Sequence, residues 1–131
     1  MQNSKIFVLF SDVDGLKKVN DTLGHEAGDN LIREMAEAIK LTETRDRLGM
    51  RYGGDEFVLF GKCQKGETEE RLLAELRKNM EYRNRISRYP FKLYASIGIS
   101  IYDAKEIDKL ENMVELADRK MYEEKRQKKT R

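Results

Sequence analysis

The run Ile6-Phe7-Val8-Leu9-Phe10 constrains this chain most. It is continuous, apolar and rich in β-branched and aromatic residues, the pattern of a strand buried on both faces. Such a strand needs cover above and below, which places it inside a layered fold. It runs into Ser11-Asp12-Val13-Asp14-Gly15, a polar break with a turn-prone glycine.

The rest of the chain supplies the cover. From Glu26 to about Glu43, Leu31, Ile32, Met35, Ala36 and Ile39 fall on one helical face, with charges opposite. Leu48 to Tyr52 and Glu56 to Phe60 read as short strands joined through Gly53-Gly54-Asp55, a tight hairpin carrying Asp55 and Glu56 at its tip. A loop from Gly61 to Glu67 leads into a helix that reaches about Arg88, with Leu72, Leu73, Leu76 and Met80 as its stripe. Tyr89-Pro90 stops it, because the residue before a proline is pushed out of the α region. Phe91 to Tyr102 alternates, with Leu93, Ala95, Ile97, Ile99 and Ile101 on one face. A last helix, about Glu106 to Lys128, carries Ile107, Leu110, Val114, Ala117 and Met121. Its stripe stops at Tyr122, so its end is expected to fray. The order β-α-α-β-β-α-β-α predicts an α/β (α+β) sandwich whose central sheet is mixed, largely antiparallel, includes the hairpin, and is flanked by helices.

A length of 131 residues fits one core, and one domain spanning 1–131 is expected. Lys and Arg number 26 against 24 Asp and Glu, a net charge of +2. That balance argues against a general nucleic-acid or membrane-surface binder. No apolar run approaches the ~18 residues of a membrane span, and the opening does not resemble a signal peptide. One cysteine, Cys63, cannot form an internal disulfide, which points to a reducing, cytoplasmic setting. Basic neighbours could lower its pKa, but without a partner thiol or histidine nearby it reads as incidental. The serines lack a histidine partner, no Cys/His group has zinc spacing, and no Walker-type phosphate loop exists.

Two acidic pairs stand out: Asp12 with Asp14 after the first strand, and Asp55 with Glu56 at the hairpin. If the first strand lies beside the hairpin, both pairs reach the same edge of the sheet. Adjacent carboxylates repel, and a hard cation relieves that repulsion, with phosphates and water completing its shell; such a site suits phosphoryl transfer. Each pair taken alone also fits plain turn chemistry. Asn20 and Asp29 could together read a guanine edge, the amide on one side and the carboxylate accepting from ring N–H and amino groups; they fit helix ends equally well. His25, the single histidine, reads in isolation as a loop or helix-start residue. The basic tail from Arg119 to Arg131 reads as a solvated helix end or as lysines that fold back onto a ligand's phosphates.

Four ordered blocks complete the picture: Phe10 to Asp29 (FSDVDGLKKVNDTLGHEAGD), Arg51 to Phe57 (RYGGDEF), Ser96 to Ser100 (SIGIS) and Ala117 to Tyr122 (ADRKMY). Together they resemble the GGDEF family of diguanylate cyclases over about residues 6–125. The resemblance implies a nucleotide cyclase-like, palm-like fold. It also implies condensation of two GTP into cyclic di-GMP with release of pyrophosphate, in a homodimer in which each domain holds one GTP. By carry-over, Asp12 and Asp55 are the carboxylate ligands of Mg²⁺, two ions per site with Mn²⁺ as a substitute, and the Val13 carbonyl is a further ligand. Glu56 matches the acid often assigned to activating the attacking hydroxyl, and Lys17 would stabilise phosphate charge. Asn20 and Asp29 would recognise guanine with His25 close by, Gly53 and Gly54 would let backbone approach the phosphates, and Lys125 matches a phosphate-contacting lysine.

Departures from the family are equally specific. The Arg-x-x-Asp product-inhibition register falls on Thr44 and Arg47, so feedback through that site is expected to be absent and Arg45-Asp46-Arg47 reads as a solvated loop. Lys129 stands where a phosphate-binding arginine would sit, keeping the charge without the fork. The family's opening helix is missing from the sequence. The resemblance implies a covalently linked upstream sensory domain, whose parent protein could be membrane-tethered although this segment makes no membrane contact. The competing readings are a catalytically weak GTP-binding or dimerisation module, and an unrelated palm-type nucleotidyl transferase or purine cyclase.

Overall fold

The structure is a computed structural model that describes residues 5–103, 105 and 110–129. Its elements are β1 (Lys5–Val13), α1 (Leu16–Leu23), α2 (His25–Thr42), β2 (Arg47–Arg51), β3 (Glu56–Lys62), α3 (Glu69–Ile86), β4 (Ala95–Asp103) and α4 (Leu110–Lys129). The element order is the one that the sequence periodicities predict. The strands form one sheet in the order β2-β3-β1-β4. All three pairings are antiparallel, so the sheet expected as mixed and largely antiparallel is antiparallel throughout its described pairings.

β1 lies in the interior of the sheet and is covered on both faces, as its unbroken apolar run requires. On one side Phe7, Leu9 and Val13 pack with Leu31 and Met35 of α2 and with Leu72 and Leu76 of α3. On the other, Val8, Phe10 and Val58 pack against Met113, Ala117 and Met121 of α4. The α2 stripe differs by one position from the expected set, with Ala38 buried and Ala36 exposed. In α4, Met113 joins the stripe. The expected start of that helix, 106–109, lies outside the described residues.

Three expectations change. The strand expected from Phe91 begins at Ala95, because the Asn84 side chain takes both backbone groups of Leu93: its Nδ2 donates to the Leu93 carbonyl at 2.9 Å, and its Oδ1 accepts from the Leu93 N–H at 2.7 Å. That segment is bound to α3 before the sheet can pair it. The small face of β4 is buried too, since Gly98 lies directly beneath α4. A Cβ there would stand 2.1 Å from the Ala117 carbonyl oxygen and 2.4 Å from the Met121 nitrogen.

The fraying expected past Tyr122 does not occur, and α4 runs to Lys129. Ion pairs replace the apolar stripe there. The Glu124 carboxylate accepts from the Ile97 N–H at 3.0 Å and pairs with Arg77, and Lys128 Nζ donates to the Ala95 carbonyl at 2.9 Å. Among the described residues no helix is long and apolar enough to cross a membrane.

Candidate active site

Antiparallel pairing of β1 with β3 places Asp12 directly opposite Glu56, and the Val13 N–H donates to the Asp55 carbonyl at 2.9 Å. The two acidic pairs, 43 positions apart in sequence from Asp12 to Asp55, therefore converge on one end of the sheet. The hairpin tip is held from within: Tyr52 N–H donates to the Glu56 carbonyl at 2.8 Å, and the Arg51 side chain wraps round to donate to the carbonyls of Gly53 and Gly54. Gly53 makes room for Glu56, since a Cβ there would lie 2.4 Å from Glu56 Oε1, whereas one at Gly54 would face open space.

Burial and crowding set the electrostatics. The Asp12 carboxyl is pushed up to about 6, first by burial and then by the facing Asp55 carboxylate, against the pull of Lys125. Glu56 also lies above the usual carboxylate range, through burial and the charges of Asp55 and Asp118. Lys125 Nζ pairs with Asp12 Oδ2 at 2.9 Å, while Asp12 Oδ1 is buried with no hydrogen-bond partner.

An orphaned carboxylate oxygen between crowded acids is the environment that a hard cation relieves. Asp12 and Asp55, with the Val13 carbonyl at the same strand end, form an all-oxygen donor set of the kind that fits Mg²⁺ or Mn²⁺. Among the described residues no three His, Cys, Asp or Glu side chains converge as a ready metal cage. A cation here would need water and phosphate oxygens to complete its shell, as Mg²⁺ commonly does.

Asp14, by contrast, is fully engaged within the protein. Ser96 Oγ donates to its Oδ1 at 2.8 Å and Lys128 Nζ pairs with its Oδ2 at 2.6 Å. Lys128 is a residue that sequence reasoning missed, since nothing local links it to Asp14. Beside the acids opens a cleft of ≈ 580 Å³ bordered by Val13, Gly15, Lys17, Asp55 and Lys125. Gly15 takes a left-handed conformation (φ 76°) and caps α1 without a side-chain hydrogen bond. The first N–H groups of α1 consequently keep their donors free of a capping side chain, an arrangement that favours anions.

Asn20 sits against Gly28, where a Cβ would come within 1.8 Å of Asn20 Oδ1, which brings Asn20 to the turn of α2 that carries Asp29. His25 is exposed at the start of α2. Lys129 closes α4, and its side chain lies outside the described residues.

Arg47 corrects the solvated-loop expectation. It is buried in β2, pairs with Glu67 and with Glu75 at 2.8 Å, and lies over the Phe7 ring. Thr44 forms a bridge to Arg47. The Cys63 thiol, read from sequence as incidental, is pushed up by burial and by Glu67, against the pull of Lys5 and Arg47.

A sequence profile described as "Diguanylate cyclase, GGDEF domain" matches residues 1–131. The chain is 39% identical over 120 residues to the bifunctional diguanylate cyclase/cyclic di-GMP phosphodiesterase MucR of Pseudomonas aeruginosa, covering 92% of the chain and 17% of that protein. It is 31% identical over 119 residues to diguanylate cyclase A of Treponema denticola, covering 90% of the chain and 32% of that protein. It thus spans about a sixth and a third of these relatives. Among solved structures, the GGDEF domain of DgcB from Caulobacter crescentus, in complex with c-di-GMP, superposes with a TM-score of 0.79 at 28% identity, over 94% of this chain and 73% of that one. With profile, relatives and fold in agreement over nearly its whole length, the chain belongs to the GGDEF domain family of diguanylate cyclases.

Proposed function

We propose that this chain is a catalytic domain that condenses two GTP into cyclic di-GMP and two pyrophosphates, each domain of a homodimer presenting one nucleotide to the other. The observation that carries the reading is the facing pair Asp12 and Asp55, with one orphaned buried oxygen, at the mouth of a cleft bordered by Lys17 and Lys125. Asp12, Asp55 and the Val13 carbonyl would hold two Mg²⁺, or Mn²⁺ in their place. When bound, the ions supply charge neutralisation on the triphosphate and polarisation of the α-phosphate.

The remaining work falls to the protein. The uncapped start of α1 and Lys17 receive phosphate oxygens and stabilise the charge that develops on them. Lys125, on α4 beside Asp12, would contact the same phosphates, and Lys129 would add a second basic charge at the end of that helix. Glu56, held above the usual carboxylate range, is poised to accept the 3′-hydroxyl proton. The 3′-oxygen then bonds to the α-phosphorus of the opposite nucleotide, the bond from that phosphorus to the bridging oxygen breaks, and pyrophosphate leaves. A second, symmetric transfer closes the ring. A single domain presents only half of the reacting atoms, which is why two copies must meet. The same reading places the domain in the cytoplasm, joined to a sensory domain, with no nucleic-acid partner.

Asn20 and Asp29 would read the guanine edge, with His25 near the base. Gly28→Ala tests this without touching either residue. Its Cβ would collide with the Asn20 amide, a flexible group that can move aside, so stability should fall by only ~1 kcal/mol while KM for GTP rises about tenfold, one tenfold step corresponding to ~1.4 kcal/mol. Calorimetric titration with a non-hydrolysable GTP analogue checks it, and an unchanged affinity would remove Asn20 from the base site.

Added cyclic di-GMP should also fail to inhibit turnover beyond simple competition with GTP. Thr44 supplies no guanidinium, and that of Arg47 is committed to Glu67 and Glu75. Initial rates across a range of added product check this, with non-competitive inhibition as the contrary result.

A further inference from the structure

The carboxylate best suited to a cation already has one. Lys125 Nζ lies 2.9 Å from Asp12 Oδ2, and the pair is largely shielded, at 24% and 14% side-chain exposure. We propose, resting on the functional reading above, that Lys125 is a resident counter-ion of the metal-binding carboxylates, transferred to the triphosphate on loading, so that divalent cation and nucleotide bind together rather than cation first.

The argument is one of charge. Asp12, Asp55 and Glu56 crowd one strand end, and Lys125 offsets part of their repulsion. A divalent ion approaching the free Asp12 Oδ1 meets an ammonium on the other oxygen of the same carboxylate, and like charges at that spacing repel strongly where water is scarce. Displacing Lys125 with no anion nearby strands its charge against the protein surface. A triphosphate removes the conflict, because its oxygens can take both the metal and the ammonium.

The surrounding structure allows such a transfer at small cost. The Lys125 side chain can swing on its flexible four-carbon stem while the helix stays in place. Around it, Lys128 is fixed to Asp14 and to the Ala95 carbonyl, Glu124 to the Ile97 N–H, and Lys120 to the Ile99 carbonyl at 2.8 Å. Lys125 is thereby free to change partners while the helix that carries it stays anchored.

Nucleotide-free Mn²⁺ titration, read by the electron paramagnetic resonance of the free ion, decides the matter across wild type, Lys125→Met and Lys128→Met. Lys125→Met is expected to bind Mn²⁺ at least ~10-fold more tightly than wild type, and Lys128→Met within ~3-fold of wild type, because Lys125 touches the Asp12 carboxylate whereas Lys128 is bound to Asp14. With a non-hydrolysable GTP analogue present, wild-type affinity for Mn²⁺ should rise at least ~10-fold, and that of Lys125→Met by less. Equal nucleotide-free affinity in wild type and Lys125→Met, or an equal gain in Lys128→Met, overturns the proposal. Should Lys125→Met lose its far-ultraviolet dichroism, Lys125→Gln is titrated in its place and the same outcomes apply. Failure of the functional reading is separate: wild type would form no cyclic di-GMP, whatever the nucleotide-free titration gives.

Discussion

Asp55→Ala is expected to lower cyclic di-GMP formation at least ~10³-fold while leaving GTP affinity within ~10-fold of wild type. The disparity follows from where Asp55 stands. It faces Asp12 at the strand end, where the proposed reaction would need charge on the transferring phosphoryl group to be neutralised. Asn20 and Asp29, proposed to contact guanine, and the open start of α1 lie on other elements and should survive its loss. Collapse of the fold does not compete as an explanation, because Asp55 raises the pKa of both Asp12 and Glu56, so removing it relieves repulsion. Turnover and analogue binding measured on the same preparation check the split. Near-normal turnover would contradict the role given to Asp55, and so would affinity lost in step with rate.

Arg47→Ala should cost about 3 kcal/mol of stability, the scale of removing one partner from a buried ion pair, and lower the melting temperature by ~10 °C for a chain of this size. The Arg47 side chain is 5% exposed and reaches Glu67, at 15%, and Glu75, at 41%. It also donates to the Thr42 carbonyl at 3.3 Å. Glu75 can turn to solvent when the arginine goes, but Glu67 is left shielded without its cation. Arg47→Lys should recover only part of the loss, since a point charge cannot serve two carboxylates and a carbonyl at once. Thermal unfolding of the three proteins checks the order, and a Lys variant as stable as wild type would contradict it.

What the sequence revealed and what it concealed divide along physical lines. The doubly buried β1, the hairpin about Gly53 and Gly54, and the α3 stripe Leu72, Leu76 and Met80 were legible because hydrophobic period reports burial directly. Asp12 and Asp55 could be joined only conditionally from sequence, since their meeting depends on the β1–β3 register. Arg47 was misread because a charged triplet between a helix and a strand looks solvated. Only the arrival of Glu75 on α3 and of Glu67 in the loop before it makes its burial tolerable.

The end of α4 was misread for the complementary reason. Lys125 and Lys128 carry no apolar period, so nothing local announces that they grip Asp12 and Asp14 more than a hundred positions away. The start of β4 was misplaced because Asn84 captures the backbone of Leu93, a side-chain competition that strand periodicity cannot register.

Chromatographic and mass analysis of the products formed from GTP and Mg²⁺, at protein concentrations that populate a dimer, tests the account most directly. It predicts cyclic di-GMP with two pyrophosphates released for each molecule formed. Unchanged GTP, or a cyclic product built from a single nucleotide, would contradict it.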